Sequence, residues 1–397
     1  MEQPHSSQVK PARPQYFAID IAKFVFAFIV VAAHMYPFRS YTSDADFLLV
    51  QGIARVVVPF FFLTAAFLFF SRMKPPLSKK WQDAGYLWKY VERIGIMYCF
   101  WTLFINGLLA LGWLVNGIQP GVFQLSRSFL LSAGYPFLVN HTGMNAFRVW
   151  QNGVLQWSGI RDYLYHLVQP FNQYHLWYFP ALMLGMVLIY EMLKRVKPWV
   201  VILIGAVLFF LGSPADAYYG VTAYIPVVRL WANQYLALFY TTRNGIFYAI
   251  LYLAIGAYFA WFPVWIKPGF ARNVFWITFL AMLMESQILK SYAIQRDYNF
   301  YFFSIPSAIF LFLWLREIQL KPRWIYQWFR EASILIYCSH GIFVILVPAI
   351  MGLMGWQQES FNSMLRFWLV YFCTVGFAAL VLWLEKKPMF RWLQFLH

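Results

Sequence analysis

Residues 16–38 read YFAIDIAKFVFAFIVVAAHMYPF, an apolar run long enough to cross a bilayer that nevertheless contains Asp20, Lys23 and His34. A transmembrane helix needs about 20 mostly apolar residues, and a charge at its centre costs roughly 2.5–3.5 kcal/mol on insertion scales. At 3.6 residues per turn, Lys23 and His34 fall on one helix face about 16 Å apart, with Asp20 one turn below Lys23 and able to pair with it. This row of polar residues, Asp20, Lys23 and His34, therefore predicts a membrane helix that faces a protein interior or an aqueous cavity.

The remaining sequence has the composition of a membrane protein. Of its 397 residues, 61% are hydrophobic, 22% aromatic and only 12% charged, whereas soluble domains carry roughly 25% charged residues. Apolar runs recur from residue 16 to residue 384 without a polar interval large enough for a separate domain. We expect an all-α bundle of transmembrane helices, with a membrane domain at 16–385 between cytoplasmic tails at 1–15 and 386–397.

The apolar runs predict about ten spans, placed near 16–36, 47–70, 94–115, 174–193, 198–212, 243–262, 273–290, 299–316, 332–352 and 364–384. Basic residues cluster in alternate connections between these runs, which by the positive-inside rule predicts an even number of spans and both termini in the cytoplasm. The net charge of +16 is explained by this topology, so we expect partners among lipids of the inner cell membrane and no nucleic acid.

A charge in the second predicted span weakens the simplest alternative explanation for the charges in the first helix. In that alternative Lys23 extends to the inner headgroups with Asp20 as its counter-charge, while His34 sits at the outer interface. Arg55, however, lies inside the second predicted span, where it needs a partner or an anion. Cysteines 99, 338 and 373 lie in apolar runs without paired or metal-type spacing, and we expect no metal.

Four motifs in order resemble one known family. DIAK followed by apolar residues to AAH resembles the opening signature of the acyltransferase family 3 integral-membrane proteins, in which ten residues separate a basic residue from a histidine. Further similarity lies in VPFFFLTAAFLF at 58–69, HLWYFPAL at 175–182 and SILIYCSHGIFV at 333–344. The chain departs from the family in having Lys23 where arginine is commoner, Ala65-Ala66 where Ser-Gly is frequent, and Lys89 and Arg93 in place of paired arginines.

The resemblance implies transfer of an acyl group, usually acetyl from cytoplasmic acetyl-CoA, to a hydroxyl of an extracytoplasmic or lipid-linked glycan. A neutral imidazole can deprotonate a hydroxyl or accept an acyl group, so His34 is the predicted catalytic residue. The donor's phosphates need cations, for which Lys23, Arg55 and Arg93 are the candidates. Asp20, His175 and His340 are predicted to support the site, although each of the two histidines also fits a purely packing role.

A transporter or flippase is the main alternative function. Asp20, Lys23, His34 and Arg55 would then form a proton or substrate relay within the membrane. Dependence on an acyl donor separates the two hypotheses, because transport requires none.

Overall fold

The computed structural model describes residues 15–75, 77, 81–118, 150–151, 154–155, 175–239, 241–262, 264–292, 294, 296–354 and 362–397. Its helices, in chain order, are α1 Phe17–Met35, α2 Ser43–Phe47, α3 Val57–Phe70, α4 Trp81–Ile118, α5 Tyr178–Leu193, α6 Pro198–Gly212, α7 Tyr219–Thr222, α8 Pro226–Phe239, α9 Ile250–Trp261, α10 Pro268–Lys290, α11 Ser304–Glu317, α12 Trp324–Leu353 and α13 Ser363–Leu384. Short 3-10 segments cover Ser213–Ala215 and Pro388–Leu396. The predicted all-helical class is confirmed.

The strands of the described residues are a pair of two-residue segments, β1 Trp150–Gln151 and β2 Val154–Leu155, which run antiparallel with Trp150 opposite Leu155. They belong to the connection between the third and fourth predicted spans, near 94–115 and 174–193. Most of that connection lies outside the described residues.

Five described helical segments are long and apolar enough to cross a membrane: Phe17–Met35, Ser43–Phe70, Pro198–Ala215, Trp324–Val347 and Ser363–Leu384. Two shorter apolar helices cover Tyr178–Leu193 and Gly245–Trp261. Several helices extend beyond the apolar runs that predicted them; α4, for example, already begins at Trp81. Hydropathy detects only the apolar part of a helix, so it does not detect polar first turns.

Close backbone contacts hold the central helices together. A Cβ atom on Gly256 of α9 would lie 2.2 Å from the carbonyl oxygen of Leu63 on α3. Likewise, a Cβ on Gly205 of α6 would lie 2.7 Å from the Cα of Leu251. Membrane helices associate through such small residues because lipid gives little hydrophobic driving force between helices. These glycines set the spacing of the layer that supports the cavity described below.

The second predicted span is not a plain α-helix. Between α2 and α3 the chain forms a π-helical turn at Leu48–Gly52 and a 3-10 turn at Ile53–Val56. A second π-helical turn, Gly245–Ala249, precedes α9. Changes in helical pitch rotate the following side chains, and π turns occur frequently at functional sites. Arg55 lies in the 3-10 turn and Arg243 just ahead of the second π turn.

Helix α1 packs lengthwise against α12. Near the predicted inner end, the Asp20 carboxylate accepts two hydrogen bonds from Arg330, at 3.1 Å from Nε and 2.8 Å from Nη2. The rings of Phe24 and Phe329 stack one turn further along, with centroids 4.5 Å apart. The predicted pairing of Asp20 with Lys23 is therefore replaced by a fork from another helix, whose planar geometry matches both carboxylate oxygens.

Candidate functional site

A cavity of about 70 Å³ lies at the C-terminal end of α1. One water needs roughly 10–15 Å³ by this measure, so the space holds several waters or a small polar group. Its polar and aromatic lining comprises His34, Tyr36, Arg55, His175, Trp177, Arg243, Tyr248, Asn299 and Tyr337. No aspartate or glutamate lines it among the described residues.

His34 reaches the cavity because α1 ends there. The helix stops at Met35, and Tyr36 adopts a left-handed conformation with φ of 50° while its N–H donates to the Ala32 carbonyl. The four residues before His34 on α1 are alanines and valines, and Val31 and Ala32 are fully packed against neighbouring helices. The imidazole is thus carried on the last turn of a rigid helix.

Three imidazoles meet at this point. The His34 ring stacks on His340 of α12 with centroids 5.2 Å apart, and His175, just before α5, lies 6.2 Å from His34. The centroids of His175 and His340 are 4.5 Å apart. The structure therefore brings the predicted catalytic histidine together with both predicted supporting histidines, which are separated widely in sequence.

Backbone contacts fix the two supporting rings. Nε2 of His175 lies 3.3 Å from the Cys338 carbonyl, and Nδ1 of His340 lies 3.1 Å from the Ile336 carbonyl. Each of these nitrogens must carry hydrogen to donate to a carbonyl, which leaves the other nitrogen of each ring as an acceptor when the ring is neutral. The Tyr337 hydroxyl also donates to the His175 carbonyl. The second nitrogen of His340, Nε2, is buried without a hydrogen-bond partner among the described residues.

Gly341 makes the approach of His175 possible. A Cβ atom at Gly341 would lie 2.3 Å from Cε1 of His175, well inside van der Waals contact. The glycine directly follows His340, so α12 supplies one ring of the cluster and the space for another. The motif SILIYCSHGIFV contains both residues.

Two arginines enter the cavity from the irregular turns. Nη1 of Arg55 and Nη1 of Arg243 both donate to the side-chain carbonyl oxygen of Asn299, the latter at 3.2 Å. Arg55 also donates to the side-chain oxygen of Gln51. The Arg243 guanidinium carbon lies 4.7 Å from the ring centroid of Trp177, within the range of a cation–π contact.

The carboxylate of Asp216 orients Asn299 through hydrogen bonds. It accepts from the Asn299 backbone N–H at 2.6 Å, the Asn299 side-chain amide at 2.8 Å and the Phe300 N–H at 3.2 Å. Burial, with the nearby charge of Asp297, raises the pKa of Asp216 to about 6. These bonds orient the Asn299 amide so that its oxygen faces both arginines.

Two of the three predicted donor-side residues lie away from the cavity. Lys23 is half-buried on α1 near Asp20 and Arg330, at the end of the helix opposite His34. Arg93 is exposed on α4, and its Nη2 donates to the backbone carbonyl of His397 at 2.6 Å. Arg55 therefore shares the cavity with His34, whereas Lys23 and Arg93 do not line it.

Sequence reasoning did not single out Arg243, Asn299, Asp216 or Arg330. Arg243 and Arg330 counted only as topology signals in the connections, and Asn299 is a neutral residue at a helix approach. The contact between Arg243 and Asn299 spans 56 positions, and that between Asp20 and Arg330 spans 310. Within the described residues no group of histidines, cysteines and carboxylates is arranged to hold a metal ion.

Comparison with known proteins gives one family and several distant relatives. A family model described as "Acyltransferase domain" matches residues 16–383. A protein of Enterococcus faecalis named amino-acid racemase is 23% identical over 93% of the chain and 46% of its own length. The serine/alanine racemase of Enterococcus gallinarum is 24% identical over 94% of the chain and 47% of its own length. The chain thus spans about half the length of these relatives, and no solved structure matches it.

Proposed function

The chain belongs to the acyltransferase family whose model covers residues 16–383, and we propose that it moves an acetyl group from cytoplasmic acetyl-CoA to a hydroxyl of an extracytoplasmic or lipid-linked glycan. The observation that carries this proposal is the exposure of His34 in a small polar cavity at the end of α1. A cavity of that size accommodates the reacting hydroxyl and an acetyl group, but not the rest of either substrate.

The chemistry requires one proton acceptor. His34 takes the proton of the acceptor hydroxyl as its oxygen forms a bond to the thioester carbonyl carbon, and the carbon–sulfur bond then breaks. The proton passes from the imidazolium to the departing CoA thiolate. In the two-step variant, His34 first accepts the acetyl group itself and transfers it to the hydroxyl. Both routes require an imidazole lone pair directed into the cavity.

The proposed topology has about ten spans within 16–385, both termini in the cytoplasm, and insertion in the inner membrane. Lys23 then faces the cytoplasmic side, where it and Arg93 provide cations for the phosphates of CoA. Eleven residues of helix separate Lys23 from His34, about 16 Å of rise, which is comparable with an extended pantetheine arm. The thioester reaches His34 while the nucleotide stays at the inner end.

The names of the relatives introduce a second reaction, racemisation of amino acids. The chain matches 46% and 47% of those two proteins, so their names do not say which activity the matching half carries. We do not transfer racemisation to this chain. Incubation of the purified protein with L-serine and L-alanine, followed by chiral chromatography, tests this directly, and we expect no D-enantiomer.

Reconstituted proteoliposomes test acyl transfer. We expect protein-dependent release of CoA thiol from acetyl-CoA, and a glycan or lipid-linked sugar that gains the mass of one acetyl group. His34→Ala should abolish both signals, whereas His397→Ala, outside the cavity, should retain them.

Two results would contradict the proposal: transfer by His34→Ala at the wild-type rate, or saturable solute flux through the wild-type protein without any acyl donor. The second result would support the transporter hypothesis, in which the same intramembrane charges form a relay.

A further inference from the structure

We propose that one wall of the cavity selects the acyl group of the donor by its length, so that an acetyl group fits beside His34 and a propionyl or longer group does not. The inference rests on the proposed function, because it names the feature of the donor that the same site recognises. It follows from the aliphatic residues of the lining, to which the proposed chemistry assigns no role.

The aliphatic and the polar residues of the lining come from different parts of the chain. Most of the polar side chains are contributed by the segments before α5 and α11, by α12, and by the second π turn with the residues ahead of it. The aliphatic side chains come from α1 and the irregular second span, and together form what we call the acyl wall: Val30, Ala33, Val50, Ala54 and Val58. The hydrocarbon end of an acyl group has no hydrogen-bonding atom, so it is most stable against such a wall.

Aromatic contacts show how the two sides of the acyl wall face each other. Two ring pairs join the beginning and middle of α1 to α3, Tyr16 with Phe67 and Phe26 with Phe60, with centroids 5.3 and 5.2 Å apart. The two helices therefore run in opposite directions, and positions about two turns from the second contact lie level with each other. Ala33 and Ala54 are such positions, so a pair of small side chains lies at the level of His34.

Valines limit the space beside this alanine pair. Val30 and Val58 lie on the side of the aromatic contacts, and Val50 lies about one turn beyond the alanines. Val30 and Val50 are buried, and a β-branched side chain has little freedom at χ1. Because packed interiors yield little, these valines do not move aside for a longer chain. The space is therefore short in both directions along the helices.

A difference of one methylene is enough for discrimination in a space of this size. The cavity of about 70 Å³ has to contain the reacting hydroxyl as well as the acyl group. One methylene in a hydrophobic pocket typically changes kcat/KM by about 10–200-fold. We therefore expect acetyl to be favoured over propionyl by about tenfold or more, and over butyryl by a larger factor.

Inverted membrane vesicles from cells that produce the protein test this inference, because they expose the proposed cytoplasmic face and supply their own acceptors. Release of CoA thiol is measured at low concentrations of acetyl-CoA, propionyl-CoA and butyryl-CoA. The rate in vesicles that contain His34→Ala is subtracted. Wild type is compared with Val58→Ala, which enlarges the space, and with Ala54→Val, which fills it.

Two further valines provide matched controls. Val57 is fully buried next to Val58 but does not line the cavity, and Val25 lies on α1 with 47% of its surface exposed. Val57→Ala and Val25→Ala should therefore keep the wild-type ratio of propionyl to acetyl release. Melting curves of the purified variants show whether they fold. If Val58→Ala does not fold, Val30→Ala replaces it with the same expectation.

We expect the ratio of propionyl to acetyl release to rise about tenfold or more in Val58→Ala, and acetyl release itself to fall in Ala54→Val. An unchanged ratio in both Val58→Ala and Val30→Ala would overturn the inference and leave acyl transfer in place. Equal release from butyryl-CoA and acetyl-CoA by wild type would do the same. Absence of His34-dependent release from all three donors would instead refute the proposed function, and the inference with it.

Discussion

Replacement of Gly341 by alanine isolates the contribution of the histidine cluster without removing any of its members. The added Cβ would lie 2.3 Å from Cε1, 2.9 Å from Nε2 and 3.0 Å from Nδ1 of His175. Carbon atoms prefer separations of about 3.5–4.0 Å, so the ring must move by roughly 1.2 Å or more. Overpacking of this kind typically costs about 1–3 kcal/mol of stability.

The displaced ring should also lower activity. A displacement of about 1 Å in a catalytic arrangement can cost around 100-fold in rate, so Gly341→Ala should lower acetyl transfer by about that factor while the protein still folds. The measurement combines initial rates in proteoliposomes with melting curves in detergent. Gly376→Ala on α13 is the matched control, because a Cβ there meets no atom within 4 Å.

A double variant separates a steric cause from a general defect. His175→Ala in the Gly341→Ala background makes room for the new methyl group, so it should recover melting temperature without recovering activity. Wild-type activity in Gly341→Ala with an unchanged melting temperature would refute the packing argument. Equal losses in Gly341→Ala and Gly376→Ala would show that helix substitution alone, rather than His175, is responsible.

Four further changes test other parts of the structure. Asp20→Asn removes the carboxylate that receives the Arg330 fork, and should lower the free energy of unfolding by about 1–3 kcal/mol, as measured by denaturant titration. Gly256→Leu should destabilise the protein more than Gly107→Leu in a thermal melt, because a Cβ at Gly256 would meet the Leu63 carbonyl oxygen at 2.2 Å, whereas one at Gly107 meets nothing. Burial and the nearby charge of Asp297 raise the pKa of Asp216 to about 6. The native protein therefore binds this proton more tightly than the unfolded protein does, and the associated stability is lost as the pH rises from about 4 through 6. Asp216→Asn should flatten that part of a curve of stability against pH. Lys23→Gln should raise the KM for acetyl-CoA with little change in kcat, and an unchanged KM would contradict its donor-side role.

The sequence predicts much of α1 and little of its surroundings. Helical spacing alone places Lys23 and His34 on one face, because both lie in a single regular helix. The irregular turns around Arg55 could not be anticipated, since α- and π-helical turns share the same apolar composition. Hydropathy places Arg55 inside a span, but it does not indicate that the helical pitch changes next to Arg55.

Partners from distant helices are the second limit of the sequence. Local spacing offers Lys23 as the partner of Asp20, but the fork of Arg330 matches both carboxylate oxygens and is favoured once α1 and α12 pack together. Arg243 and Asn299 become recognisable only when the turns before α9 and α11 meet. The catalytic role of His34 and the donor-side roles of Lys23 and Arg93 remain predictions.

The double attachment of α1 to α12 has a mechanical consequence. The Asp20–Arg330 fork and the Phe24–Phe329 stack join the helices at one end, and the His34–His340 stack joins them at the other. Because α1 and α12 are held together at both ends, we expect the two helices to move as one rigid unit. We therefore expect that motion which opens the cavity involves the elements that carry Arg55 and Arg243, while His34 keeps its position relative to α12.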